Sequence, residues 1–102
     1  MTALTALTGK QRRHLRALGH HLTVVVQIGH QGVSEALVKQ TDAQLEVHEL
    51  IKVKLSENAP EGRKDGAALL AEKTSAHLAQ VLGRTALLYR RRKEKPSIVL
   101  PG

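Results

Sequence analysis

The stretch VVVQIGHQGVSEALV, Val24 to Val38, changes its period half-way along. Up to Ile28 it is dense in β-branched residues and too short for a buried helix, so the run from Leu22 to Gly29 predicts a strand. Beyond Gly32 the apolar residues fall at helical spacing, with Leu37, Thr41 and Leu45 four apart and Val38 beside them. Ser34 and Glu35 stand where an N-cap and a first-turn acid belong. Gly29 and Gly32 therefore sit between a strand and a helix, flanking the two-residue tip His30 and Gln31.

The same punctuation extends in both directions. Upstream, Thr8 and Gln11 form a capping-box pattern that opens a helix closed at Gly19, with Leu15 and Leu18 expected inside and Arg12, Arg13 and Arg16 outside. Downstream, HELIKVKLS alternates Leu50 and Lys52 with Ile51 and Val53, the period of a half-buried strand. Asn58 to Gly62, with Pro60, predicts a turn. Ala67, Leu70, Ala71, Thr74 and Leu78 predict a third helix, and HLAQVLG and RTALLYR predict two strands joined around Gly83 and Arg84. The order α-β-α-β-α-β-β predicts an α/β fold. Strands separated by helices pair most readily in parallel and the last two form a hairpin, giving a small mixed four-stranded sheet packed on helices.

The length, 102 residues, suits a single domain, here residues 1–102 with 1–7 and 93–102 as tails. There is no cysteine, which excludes disulfides, thiolate metal sites and a Cys nucleophile. No apolar run approaches the roughly 20 residues of a membrane span and no secretory h-region follows the N-terminus, so a soluble, cytoplasmic protein without membrane association is expected.

Charge gives the functional clue. Sixteen Lys and Arg stand against nine Asp and Glu, a net of +7. The excess lies at the two ends: residues 1–34 hold Lys10, Arg12, Arg13 and Arg16 and no acid, while residues 84–102 hold six bases, among them Arg84, Arg90, Arg91 and Arg92, against Glu94. If the fold brings the ends together they make one basic surface, suited to a polyanionic partner. Lys52 and Lys54 share one strand face and are either further contacts or a solvated face.

A strand that runs through a glycine loop into a helix leaves backbone N–H groups near the loop mouth. Glycines let that backbone adopt positive φ and approach a nucleic-acid strand closely. A plain turn would use the same glycines. With no Phe or Trp and a single Tyr, Tyr89, no platform of stacked aromatics is available, so recognition has to rest on phosphates and backbone shape. The six histidines, His14, His20, His21, His30, His48 and His77, follow no metal-ligand spacing, and no catalytic constellation or cofactor motif is visible; Glu46 and Glu49 read as surface or helix-end charges. The expectation is a binding protein with no cofactor, metal or small-molecule substrate, and not an enzyme.

Three segments, LTGKQRRHLRALGHHLTVVVQIGHQGVSEALV, HELIKVKL and GRTALLYR, resemble in order and spacing the CRM domain (chloroplast RNA splicing and ribosome maturation), specifically its stand-alone bacterial YhbY type. The resemblance spans about residues 8–100. It implies a fold similar to the C-terminal domain of bacterial translation initiation factor 3, with an added N-terminal helix. It also implies RNA binding and association with precursors of the large ribosomal subunit; a monomer is expected. Its GxxG loop falls on Gly29, His30, Gln31 and Gly32 and its basic helix on Lys10, Arg12, Arg13 and Arg16. The tip departs from the pattern in having no permanent positive charge. On this reading aspartate at Gly29 and Gly32 weakens RNA binding and leaves melting little changed. The rival expectation is a module that docks on a ribosomal or other protein through its sheet or through Ile98 to Leu100, without sequence-specific RNA contacts.

Overall fold

The computed structural model describes residues 6–102; the first five residues of the predicted N-terminal tail lie outside it. The elements follow the predicted order: α1 (Gly9–Gly19), β1 (Val24–Ile28), α2 (Glu35–His48), β2 (Leu50–Leu55), α3 (Arg63–Lys73), β3 (His77–Leu82) and β4 (Thr85–Tyr89). Both predicted caps form. The Thr8 hydroxyl accepts from the Gln11 N–H at 3.1 Å while the Gln11 side chain accepts from the Thr8 N–H at 3.0 Å, and Ser34 Oγ accepts from the Leu37 N–H at 3.2 Å.

The sheet is mixed, in the order β1-β2-β4-β3. β1 and β2 are parallel across α2, as expected, whereas α3 does not set β3 beside β2, because β4 lies between them and is antiparallel to both. Composition explains the insertion. In β4 the run Ala86, Leu87, Leu88 and Tyr89 is buried on both faces, while β3 carries His77, Gln80 and the exposed Leu82 and serves as an edge. A strand apolar on both faces gains most from a central place. Leu78, assigned by its spacing to the third helix, lies in β3; α3 ends at Lys73, where the Thr74 hydroxyl turns back onto the Leu70 carbonyl at 2.8 Å.

Each face has its own core. On one, Val26, Ile28, Ile51, Val53, Leu55, Ala86 and Leu88 meet α2 through Leu37 and Leu45 and α3 through Ala67, Leu70 and Ala71. On the other, Leu50, Ala79, Leu87 and Tyr89 meet Leu15 of α1. α1 crosses β4 so closely that a Cβ at Gly19 would stand 2.5 Å from Leu87 Cδ1. Leu18, expected inside, is 39% exposed; three residues on from Leu15 it turns onto the flank of the helix, and α1 meets the sheet through a narrow stripe.

The C-terminal tail is part of this second core. Ile98 and Leu100 pack against it, and the Gln11 side-chain amide donates to the Pro101 carbonyl at 3.2 Å. Glu49 anchors the segment. It caps α2 with φ 62° and is fully buried, not a surface charge. Its carboxylate accepts from the Ser97 N–H at 2.5 Å, the Ser97 hydroxyl at 2.8 Å and the N–H groups of Ile98 and Arg92, both at 3.1 Å. Burial pushes its pKa up, but these donors outweigh burial and hold it down at about 2.

Candidate nucleic-acid interface

The loop after β1 is fastened from behind. The Ile28 carbonyl accepts from the Ser56 N–H at 3.0 Å, and Gly29 to Gly32 closes as a turn through the Gly32 N–H and the Gly29 carbonyl at 2.9 Å. Glu61, from the turn before α3, reaches across: its Oε2 accepts from the Val33 N–H at 3.0 Å. The two glycines then differ in kind. Gly32 has φ +69°, and a Cβ there would stand 2.5 Å from Glu61 Oε1; at Gly29 a Cβ would meet nothing within 4 Å, and its φ is not positive. The fold requires Gly32 and leaves Gly29 free, so the expectation of harmless aspartates at both positions fails at Gly32. The helix start is also less open than expected, since Glu61 and Ser34 already satisfy the N–H groups of Val33 and Leu37.

The loop borders a depression of about 280 Å³, lined by residues Gly29 to Gly32 and by Gln27, Ser34, Ala36, Leu37 and Gln40. Both tip residues, His30 and Gln31, are exposed. The walls combine the side-chain amides of Gln27, Gln31 and Gln40 and the Ser34 hydroxyl with the apolar Ala36 and Leu37.

The cations reach this loop along the sheet face that α1 only half covers. Lys52 and Lys54 share that face with Leu50, and Lys54 pairs in register with Gln27, the second residue before Gly29. Arg16 and His20, at the end of α1, border one cleft with Lys52, Gln80 and Thr85. Arg13 lies on the same flank of α1, and Lys10 is exposed one turn earlier. The result is a strip from α1 across β2 to the loop. The opposite layer is mixed in charge: α2 carries Glu35, Asp42 and Glu46 against Lys39 alone, while α3 carries Arg63, Lys64 and Lys73 against Asp65 and Glu72.

The remaining predicted cations are held by the fold. Arg12 donates to the carbonyls of Leu78 and Ala79 at 3.0 and 3.4 Å, tying α1 to β3. Arg84 pairs with Glu57 in the open, with side chains 57% and 64% exposed, where an ion pair contributes little. Arg90 is turned inward. Its guanidinium, 17% exposed, pairs with Asp42 and with Glu46 at 2.9 Å and donates to the Thr74 carbonyl at 2.8 Å. Arg92 bonds the carbonyls of Val47 and Lys95 at 3.0 and 2.9 Å. The fold does bring the two ends together, but of the arginines from 90 to 92 only Arg91 is left facing solvent. Arg90→Ala is expected to cost about 2 kcal/mol, because it leaves two carboxylates and a part-buried carbonyl without their donor; thermal melting measures it.

Tyr89 is 3% exposed and stacked on His77, with ring centroids 6.1 Å apart. Burial, and then the charge of Arg12, lower the pKa of His77, which keeps the imidazole neutral at pH 7. Among the described residues no group of three or more His, Cys, Asp or Glu is placed to hold a metal ion, and no helix is long and apolar enough to cross a membrane.

Sequence reasoning missed Glu61 and saw in Glu49 no more than a surface or helix-end charge. Each acts on backbone far away in the chain, and its own neighbours give no sign of it. Gln27, Gln40 and His20, also missed, become visible as site residues only through strand register and helix packing.

Comparison with known proteins agrees with this architecture. The model of the CRS1/YhbY (CRM) domain matches residues 7–90. The chain is 43% identical over 95 residues to a Bacillus subtilis protein named "Probable RNA-binding protein YqeI", covering 93% of this chain and 99% of that protein. It is 35% identical over 98 residues to a Haemophilus influenzae protein named "RNA-binding protein", covering 96% and 98%. Its fold superposes on the solution structure of the hypothetical protein SAV1595 from Staphylococcus aureus with a TM-score of 0.79 at 44% identity, covering 93% of this chain and 99% of that one.

Proposed function

The chain belongs to the CRS1/YhbY (CRM) domain family, and from that premise we propose that it is an RNA-binding protein that associates with precursors of the large ribosomal subunit and assists their assembly. It acts by binding, without catalysis, as a cytoplasmic monomer. The observation that carries this reading is the one-sided charge. Arg13, Arg16, Lys52 and Lys54 share the face that ends at the glycine loop, and the opposite layer is acidic where it is formed by α2. Such a strip gathers a polyanion through phosphate contacts. The loop supplies close approach, since nothing stands above Gly29.

Filter binding to large-subunit ribosomal RNA over a range of salt tests it. Log K should fall steeply and linearly with log salt, by about 0.7 to 0.9 for each phosphate neutralised; a flat line would sink the proposal. Gly29→Asp puts a carboxylate into the loop mouth and should weaken binding at least tenfold with melting unchanged. Crosslinking in cells, with sequencing of the bound RNA, would identify the precursor. The protein-docking alternative loses support from the tail, because Ile98 and Leu100 are packed inward and only Val99, 82% exposed, is left outside.

A further inference from the structure

We propose that the RNA engaged by this surface is base-paired and is held by its backbone, not a single strand with splayed bases. This rests on the RNA-binding reading and names the form of RNA that the face accepts.

A protein that fixes a single strand must offset the entropy of ordering it. The usual return is stacking of bases on aromatic rings or their insertion into apolar clefts beside the backbone clamp. This surface has no row of aromatic rings, and its exposed apolar side chains are scattered. The one Tyr of the chain is buried beneath α1 and the tail. Where the sheet face is open it presents Gln27, Lys52, Lys54 and Thr85, with Val24 and Leu82 exposed singly at its edges, and the depression beside the loop is lined by Gln27, His30, Ser34, Ala36 and Gln40 with Leu37 buried beneath them. The exposed imidazoles stand at separate places, His30 on the loop tip, His20 and His21 at the end of α1 and His48 at the end of α2. They do not form a row.

A larger depression of about 430 Å³, with Val33 and Val38 in its lining, lies between α2 and α3. Glu35, Lys39 and Lys73 line it too, so its rim is of mixed charge, and it lies on the layer of α2 and α3, not on the face that carries Arg13, Arg16, Lys52 and Lys54.

What the basic face does offer is a set of charges on rigid supports. Lys52 and Lys54 are two residues apart on one strand, about 7 Å, and Arg13, Arg16 and His20 follow one flank of a helix packed on the same sheet. A preorganised array of cations matches a preorganised array of phosphates. A duplex supplies that array at little ordering cost, and helical RNA is read by shape, phosphates and 2′-hydroxyls.

The test is competition binding of the full chain, at one salt concentration, to a stable RNA hairpin and to a strand of equal length designed not to pair. The hairpin should bind at least tenfold tighter. Equal or tighter binding of the unpaired strand overturns the proposal while leaving RNA binding intact; failure of both RNAs to bind at low salt removes RNA binding itself, and this inference with it. The double variant Lys52→Ala, Lys54→Ala, checked for an unchanged circular dichroism spectrum, should flatten the hairpin salt slope by about 1.5. An unchanged slope would place the duplex elsewhere and overturn the assignment to this face.

Discussion

Gly32→Ala is expected to lower the melting temperature by about 10–20 °C, while Gly29→Ala changes it little. Two effects add at Gly32. Its φ of +69° costs a residue with a Cβ about 1–2 kcal/mol, and that Cβ overlaps the Glu61 carboxylate, so Glu61 must give up the Val33 N–H. Together these cost about 2–4 kcal/mol, and in a domain of this size each kcal/mol moves melting by roughly 4–8 °C. Pairing Gly32→Ala with Glu61→Ala checks the mechanism. Removing the carboxylate abolishes the overlap, so the double variant should be clearly more stable than the sum of the single effects, and strict additivity would show that the carboxylate is not what Gly32 accommodates. The contrast also separates folding from binding. A binding defect in a Gly32 variant is confounded by instability, whereas Gly29→Asp reports on contact alone.

Glu49→Gln is expected to be the most damaging single-atom change in the protein's electrostatics. The carboxylate is fully buried and receives four hydrogen bonds from Arg92, Ser97 and Ile98, and its pKa falls from 4.5 to about 2. A carboxyl with a lower pKa in the folded chain stabilises the fold when ionised. Below pH 4.5 the unfolded chain binds the proton more readily than the folded one, so stability falls with pH. The contribution, about 3 kcal/mol, is whole above about pH 5 and is lost as pH falls through 4.5 toward 2. Urea midpoints measured between pH 7 and 2.5 should show this acid loss in the native chain. In Glu49→Gln the midpoint should already be low at pH 7 and should fall less on acidification, and proteases should reach the segment after Tyr89. An unchanged midpoint at pH 7 would mean that the tail docks through Ile98 and Leu100 alone.

Element order, both side-chain caps and the parallel pairing of β1 with β2 follow from local pattern. A cap needs two residues three apart, and a helix or strand declares itself in its own apolar spacing. The place of β4 was already implicit in its double-sided apolarity, although the crossover rule pointed to β3 as the neighbour of β2. Leu18 and Leu78 show where periodicity misleads: a spacing of three or four places residues on one side of a helix but does not say how wide the buried stripe is or where the helix stops.

The candidate site divides in the same way. The sequence by itself determined that the chain is basic at both ends, that two glycines bracket a turn between strand and helix, and that no Phe or Trp and a single Tyr are available for stacking. Only the tertiary structure decided which cations are free. Arg90 and Arg92 look identical to Arg91 in the chain, yet the fold turns them onto α2 and the tail and leaves Arg91 outside. Only the tertiary structure could separate Gly32 from Gly29, because the difference is a carboxylate 29 residues farther along, from Gly32 to Glu61. Backbone preference and helix capping are set by neighbours within one turn of chain, so sequence carries them. Whether a charge is spent or available, and whether a glycine is obligatory, depends on what a distant segment places within a few ångströms, and that is settled only when the chain has folded.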